Sequence, residues 1–135
     1  MYRTSSAKAW RYYQNRYRLT GCICVKCKRK DYPVLNVCRN CGNSKLEIYE
    51  YKPAAKLITW SEISAAPQGF AEFAPYIVAI VELEKEVCIT SQLVDVDNKN
   101  LKYGVSLKPV FRKIYADGDQ GIIHYGLKFT LSEQI

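Results

Sequence analysis

Catalytic equipment is scarce in this sequence. It holds one histidine, His124, and no G-x-S-x-G, H-E-x-x-H or Gly-rich phosphate loop. His124 stands between Ile123 and Tyr125 with no obvious acid or nucleophile partner, so a satisfied or surface histidine is expected. Long apolar runs are missing too. The longest, Tyr76 to Val81, spans 6 residues, far short of the roughly 20 a membrane helix needs. The N-terminus lacks the apolar stretch of a signal peptide, and the expected location is the cytoplasm. Acidic residues are absent from the first 30 positions, which hold nine basic ones. Disorder is excluded by what remains: apolar residues make up 48% and charged residues 24%, ordinary values for a folded chain.

The net charge of +7 is unevenly spread. Residues 1–52 carry 12 Lys/Arg and 3 Asp/Glu, whereas residues 53–135 carry 8 and 10. A chain basic at one end points to a local anionic partner there, or to a solvated basic face.

Five of the six cysteines fall between positions 22 and 41. Clustering of this kind favours metal over disulfides in a reducing compartment. Cys24, Cys27, Cys38 and Cys41 form a C-x2-C–x10–C-x2-C array. Each C-x2-C turn aims two thiolates at one point, and two turns make a tetrahedral four-sulfur site suited to structural zinc. The surrounding segment has almost no aliphatic core, so ligation would supply its folding free energy, on the order of 10 kcal/mol. Iron is the redox alternative. A closed four-sulfur site leaves no position for a catalytic water. Cys22 reads as a bystander, and Cys88, within Val87-Cys88-Ile89, as a small buried hydrophobe.

The rest of the chain divides by periodicity. Residues 6–18 read as a helix capped by Ser5 or Ser6, with Trp10, Tyr13 and Tyr17 on one face and Lys8, Arg11, Arg16 and Arg18 around it. So few aliphatics cannot make a core, so this helix must dock on its own domain or on a partner. From Lys56 onward the pattern turns to period two, with strands expected near 56–64, 76–84, 86–93, 106–115 and 122–130. Five strands in about 80 residues suit a small closed barrel, of which the oligonucleotide/oligosaccharide-binding (OB) fold is the commonest. The division expected is a basic helical segment at 1–21, a zinc ribbon at 22–52 and a barrel at 53–135.

In that order the parts carry a resemblance. The pieces that carry it are Arg16-Tyr17-Arg18-Leu19-Thr20-Gly21, the ribbon, Ala66-Pro67-Gln68-Gly69-Phe70, the stretch from Pro75 to Leu83, and the stretch from Gly121 to Phe129. Together they resemble the OB-fold proteins with a rubredoxin-like zinc ribbon known as domain of unknown function thirty-five. The resemblance implies a mainly β fold: an N-terminal helical hairpin, the ribbon, then the five-stranded barrel. It further implies a non-catalytic subunit that binds thiolase-fold enzymes. In archaea such a subunit joins acetoacetyl-CoA thiolase to hydroxymethylglutaryl-CoA synthase early in the mevalonate pathway. CoA or acyl-CoA is then a ligand to consider, with Arg16 and Arg18 for its phosphates and loop residues Pro67, Gly69, Phe70 and Phe73 as a wall for its arm. The other function weighed is single-stranded nucleic-acid binding through stacking and phosphate contacts. The slightly acidic barrel half argues against it.

Overall fold

The computed structural model describes residues 5–132, leaving the side chains of Gln14 and Arg16 outside the described set. Ser5 starts the helix: its hydroxyl accepts the Lys8 N–H at 3.3 Å, satisfying one of the donors a helix start leaves open. Helix α1 then runs Ser6–Tyr17 and passes directly into β1, Thr20–Cys24. The helical hairpin implied by the family resemblance is thus replaced, among the described residues, by one helix. Leu19 drops into the core two residues after α1 ends, which leaves no length for a second. No helix among the described residues is long and apolar enough to cross a membrane.

Strand β1 is the middle of a three-stranded antiparallel sheet, flanked by β2 (Lys30–Asp31) and β3 (Leu46–Glu50). Five further strands follow: β4 (Ala55–Ile63), β5 (Tyr76–Glu84), β6 (Val87–Leu93), β7 (Ser106–Ala116) and β8 (Ile123–Leu131). They close into a barrel of order β4-β5-β6-β8-β7. All neighbours are antiparallel except β6 and β8. The fold is mainly β, and its barrel is the expected five-stranded closed one.

Strand alternation fills this barrel. Leu57, Val81, Leu107 and Phe129 are fully buried at its centre, each contributing about 1.5–3 kcal/mol by leaving water. The core also continues past the barrel: Leu19 and Tyr51, from either end of the ribbon, belong to the same buried cluster. Cys88 departs from expectation. It is exposed, because in a strand the neighbours Val87 and Ile89 point one way and the residue between them the other. Val87 takes the buried face.

A polar clasp reinforces the junction. Lys30 of β2 donates to Glu84 Oε2 at 2.6 Å and to the Tyr49 hydroxyl at 2.9 Å, and Tyr49 donates to Glu84 Oε1 at 2.6 Å. Hydrogen bonds from Lys30 and then Tyr49 hold the Glu84 carboxyl below its usual value. The same contacts, Glu84 first, raise Lys30. A depressed carboxyl gives stability that is present above its unfolded pKa and is lost as pH falls through the folded one. A raised lysine gives stability that is present below its unfolded pKa and is lost as pH rises through the folded one. The clasp's full contribution to stability therefore holds between about pH 4.3 and about pH 10.4, the unfolded values of the two groups. Glu84→Gln should lower the melting temperature by a few degrees at pH 7. Its gap from wild type should close as pH falls below the depressed Glu84 value. A gap that stays constant from pH 7 to pH 3 in thermal melts would refute this account.

Candidate metal centre and interaction surface

The two cysteine knuckles are built alike. In the first, Lys28 N–H returns to the Cys24 carbonyl at 3.0 Å; in the second, Gly42 N–H returns to the Cys38 carbonyl at 3.0 Å. Both returning residues are left-handed, with φ of +60° at Lys28 and +69° at Gly42. Glycine takes that conformation freely, whereas lysine bears a steric cost of about 1–2 kcal/mol. The turn geometry persists in the first knuckle even though its sequence lacks the glycine.

These turns bring the Sγ atoms of Cys24, Cys27, Cys38 and Cys41 within 4.8 Å of one another. Cys24 and Cys41 lie 3.6 Å apart, and Cys27 and Cys38 lie 3.5 Å apart. A disulfide would need about 2.05 Å, whereas the edge of a zinc–thiolate tetrahedron, from Zn–S bonds of about 2.3 Å, is about 3.8 Å. The four thiols can therefore hold a metal ion, and the donor set fits zinc. Their proton affinities diverge. The Cys27 N–H, outweighing burial, brings Cys24 down to about 6. The Arg29 N–H and Asn40 lower Cys27. Cys41, although helped by the Asn43 N–H, is pushed up to about 11 by burial and the neighbouring sulfurs. The sulfurs resist full ionisation side by side, and a central divalent cation would relieve that repulsion. Cys22 stands outside this group: its buried Sγ accepts the Leu35 N–H at 3.4 Å and lies 4.0 Å from the Pro33 carbonyl.

The other expected site residues are placed as follows. Arg18 is exposed just beyond α1, and the Arg16 side chain lies outside the described residues. Pro67 and Gly69 are exposed on the β4–β5 loop, while Phe70 is half-buried, with ring centres 6.4 Å from Tyr76 and 6.5 Å from Tyr115. None of Arg18, Pro67, Gly69 and Phe70 lines the groove of about 670 Å3 where helix, ribbon and barrel meet. That groove is lined instead by Tyr12, Tyr32, Tyr115, His124 and Tyr125, among others.

His124 is the satisfied histidine expected, but sequence reasoning missed its acid partner and the reach of the aromatic stripe. His124 is 1% exposed, lies 3.1 Å from Asp117 Oδ2 and stacks on Tyr115 at 4.3 Å. The signal was the hairpin turn itself, which sets Asp117 and His124, seven apart, on its two arms. The second is an extended run of aromatics. Trp10, 75% exposed, meets Tyr13 at 6.2 Å, Tyr13 stacks on Tyr17 at 5.3 Å, and Tyr17 meets Phe111 of β7 at 4.9 Å. Phe111 then stacks on Tyr125 of β8 at 5.5 Å. The expected helical stripe is real, but it docks at its Tyr17 end and continues onto the barrel. Ala9, buried, is the small residue that lets α1 approach.

The metal centre makes a direct prediction. Metal analysis of native protein should find about one zinc per chain, the content of a single four-thiolate site. Cys38→Ser should lose the metal and unfold the ribbon, whereas Cys22→Ser should retain the metal. Loss from Cys22→Ser with retention in Cys24→Ser would overturn the assignment.

Comparison with known proteins bears on the whole chain. The family described as "ChsH2, C-terminal OB-fold domain" matches residues 49–112. A "DUF35 domain-containing scaffold protein" of Methanothermobacter thermautotrophicus is 37% identical over 127 residues, covering 93% of this chain and 96% of that protein. A protein of the same description from Methanocaldococcus jannaschii is 39% identical, covering 90% and 87%. The benzoylsuccinyl-CoA thiolase subunit BbsA of Geobacter metallireducens is 32% identical over 75 residues, covering 56% of this chain and 49% of the subunit. Among solved structures, the "Ltp2-ChsH2(DUF35) aldolase" superposes with a TM-score of 0.65 at 21% identity, covering 84% of each chain. With near-full-length relatives well above 30% identity, a shared barrel and a four-cysteine ribbon, the chain belongs to the DUF35 family of OB-fold proteins.

Proposed function

We propose that this chain is a non-catalytic scaffold that joins acetoacetyl-CoA thiolase to hydroxymethylglutaryl-CoA synthase and helps pass acetoacetyl-CoA between them. The observation that carries the reading is the aromatic run from Trp10 to Tyr125, which leaves Trp10, Tyr17, Phe111 and Tyr125 facing solvent. Tryptophan, tyrosine and arginine dominate the energetic centres of protein interfaces, and Arg11 and Arg18 are exposed on and beside the same helix. Near-full-length relatives described as scaffold proteins, and a more distant one described as a thiolase subunit, support the same reading. Thiolase condensation is unfavourable, so delivery of acetoacetyl-CoA to the next enzyme helps net flux. In this proposal Arg16 and Arg18 hold the phosphates of CoA, and Pro67, Gly69 and Phe70 form a wall for its arm.

Two measurements test the reading. Trp10→Ala and Phe111→Ala should each leave the melting transition within a degree or two. Each should weaken binding of a thiolase-fold enzyme by at least about 30-fold, the loss of one hot spot of about 2 kcal/mol. Full retention of binding by both variants would refute it. Binding that instead follows single-stranded RNA, and falls by about 0.7 log units per contacted phosphate per log unit of salt, would favour nucleic-acid binding.

The isolated subunit should release no thiol from acetyl-CoA in a colorimetric assay, despite its Asp117–His124 pair. Steady release that disappears in His124→Ala would make it an enzyme.

A further inference from the structure

A second groove, of about 600 Å3, opens between the β4–β5 loop and the turn that follows β6. Phe73, Pro75, Tyr76 and Val94 supply apolar wall, and Gln92 adds an amide donor. Lys128 of β8 lines the same space although it is only 5% exposed. Its ammonium sits 5.1 Å from the centre of the Phe73 ring. Among the described residues it makes no hydrogen bond and no ion pair, yet no fully buried side-chain nitrogen there lacks a partner. The tip of Lys128 is therefore not sealed, and it reaches the groove.

An ammonium withdrawn from water without a counter-ion is costly, and the cation–π contact with Phe73 returns only part of that cost. The carboxylates of the groove are not spent on it. Asp95 is engaged by Arg112 at 2.9 Å, and Asp97 accepts the Lys99 N–H at 3.0 Å. Burial first, and then the Arg112 charge, lower the Lys128 pKa. An anion beside the ammonium would offset both.

We propose that Lys128 anchors a binding site for a monocarboxylate carried on an apolar body. The single negative charge follows from the surroundings. One carboxylate balances Lys128, whereas the second charge of a phosphate dianion would have no cation to balance it and would add to the repulsion from Glu62, Asp95 and Asp97, which line the same groove. The apolar body follows from Phe73, Pro75 and Val94. The site lies apart from the Trp10–Tyr125 aromatics, so its test is independent of thiolase binding, although it shares the β4–β5 loop with the proposed CoA wall.

Trp60 reports on the site directly, because its indole N–H donates to Asn98 Oδ1 at 2.9 Å and Asn98 lines the groove. Titration of the full chain with 3-phenylpropanoate should give a dissociation constant on the order of 1 mM, as expected for so small a ligand. It should also move the Trp60 indole N–H signal in nuclear magnetic resonance spectra. The neutral 3-phenylpropanamide should bind at least tenfold more weakly. Lys128→Met should lose the carboxylate preference while melting no lower than wild type, and Lys128→Arg should keep it. The proposal is overturned if the amide binds as tightly as the acid or if Lys128→Met keeps its affinity. It is equally overturned if the Trp60 signal stays still at saturation. A large fall in the Lys128→Met melting temperature would make Lys128 a structural residue and also overturn it.

Discussion

The ring of Tyr51 packs in the barrel core while its hydroxyl donates to the Asp31 carbonyl of the ribbon at 3.2 Å, and the placement of everything before the barrel follows from that contact. Tyr51 N–H also pairs with the Leu19 carbonyl at 2.8 Å, so the strand leaving the ribbon is tied to the residue that entered it. Burial, with a smaller push from Glu84, raises the phenol to about 12, so it stays a neutral donor at physiological pH. Gly21 is required by the same packing. A Cβ there would collide with the Asp31 carbonyl oxygen and stand 2.7 Å from the Tyr51 ring. The cysteine knuckles hang from the far end of this rooted sheet. A metal ion held by the four thiols would organise the ribbon tip, while the barrel core organises its base.

Charge was legible as a total and misleading as a surface. The N-terminal excess of basic residues reads as one anion-seeking patch, but part of it is used internally. Lys30 is consumed by Glu84 and Tyr49, and Arg29 pairs with Asp31 at 3.2 Å. Long-range partners in sequence cannot be seen from local charge counts, and Glu84 lies 54 residues from Lys30. The basic side chains of α1 that remain exposed, Lys8 and Arg11 with Arg18 just beyond, stand beside exposed aromatics, a pairing of residue types enriched at protein interfaces.

Elements with a strong period or a fixed spacing were readable in advance. The expected strands fall within a residue or two of the observed ones, helix α1 begins where Ser5 can cap it, and the C-x2-C pairs converge. Side-chain facing was harder. Val87-Cys88-Ile89 looks uniformly apolar, yet alternation must turn one of the three outward. Lys128 has the opposite history. A lysine in a β-strand reads as a solvent residue, and only the loop carrying Phe73 covers it. Phe111 and Tyr125 could not be joined to the helical aromatics from sequence, because the β7–β8 pairing and the helix docking together make that surface.

The barrel is closed unevenly. Strands β7 and β8 pair over nine register positions, whereas β6 and β8 meet only at Leu93 and Phe129, with Val94 N–H adding one bond to the Phe129 carbonyl at 2.9 Å. The β4–β7 join is nearly as short, with two paired positions, so the cylinder has two thin seams, and amide hydrogen exchange at Val94 reads opening at the parallel one. Leu93, Val94 and Lys128 line the second groove, and an occupant of it spans that join. A ligand bound there would brace the parallel seam, and opening of that seam would loosen the ligand.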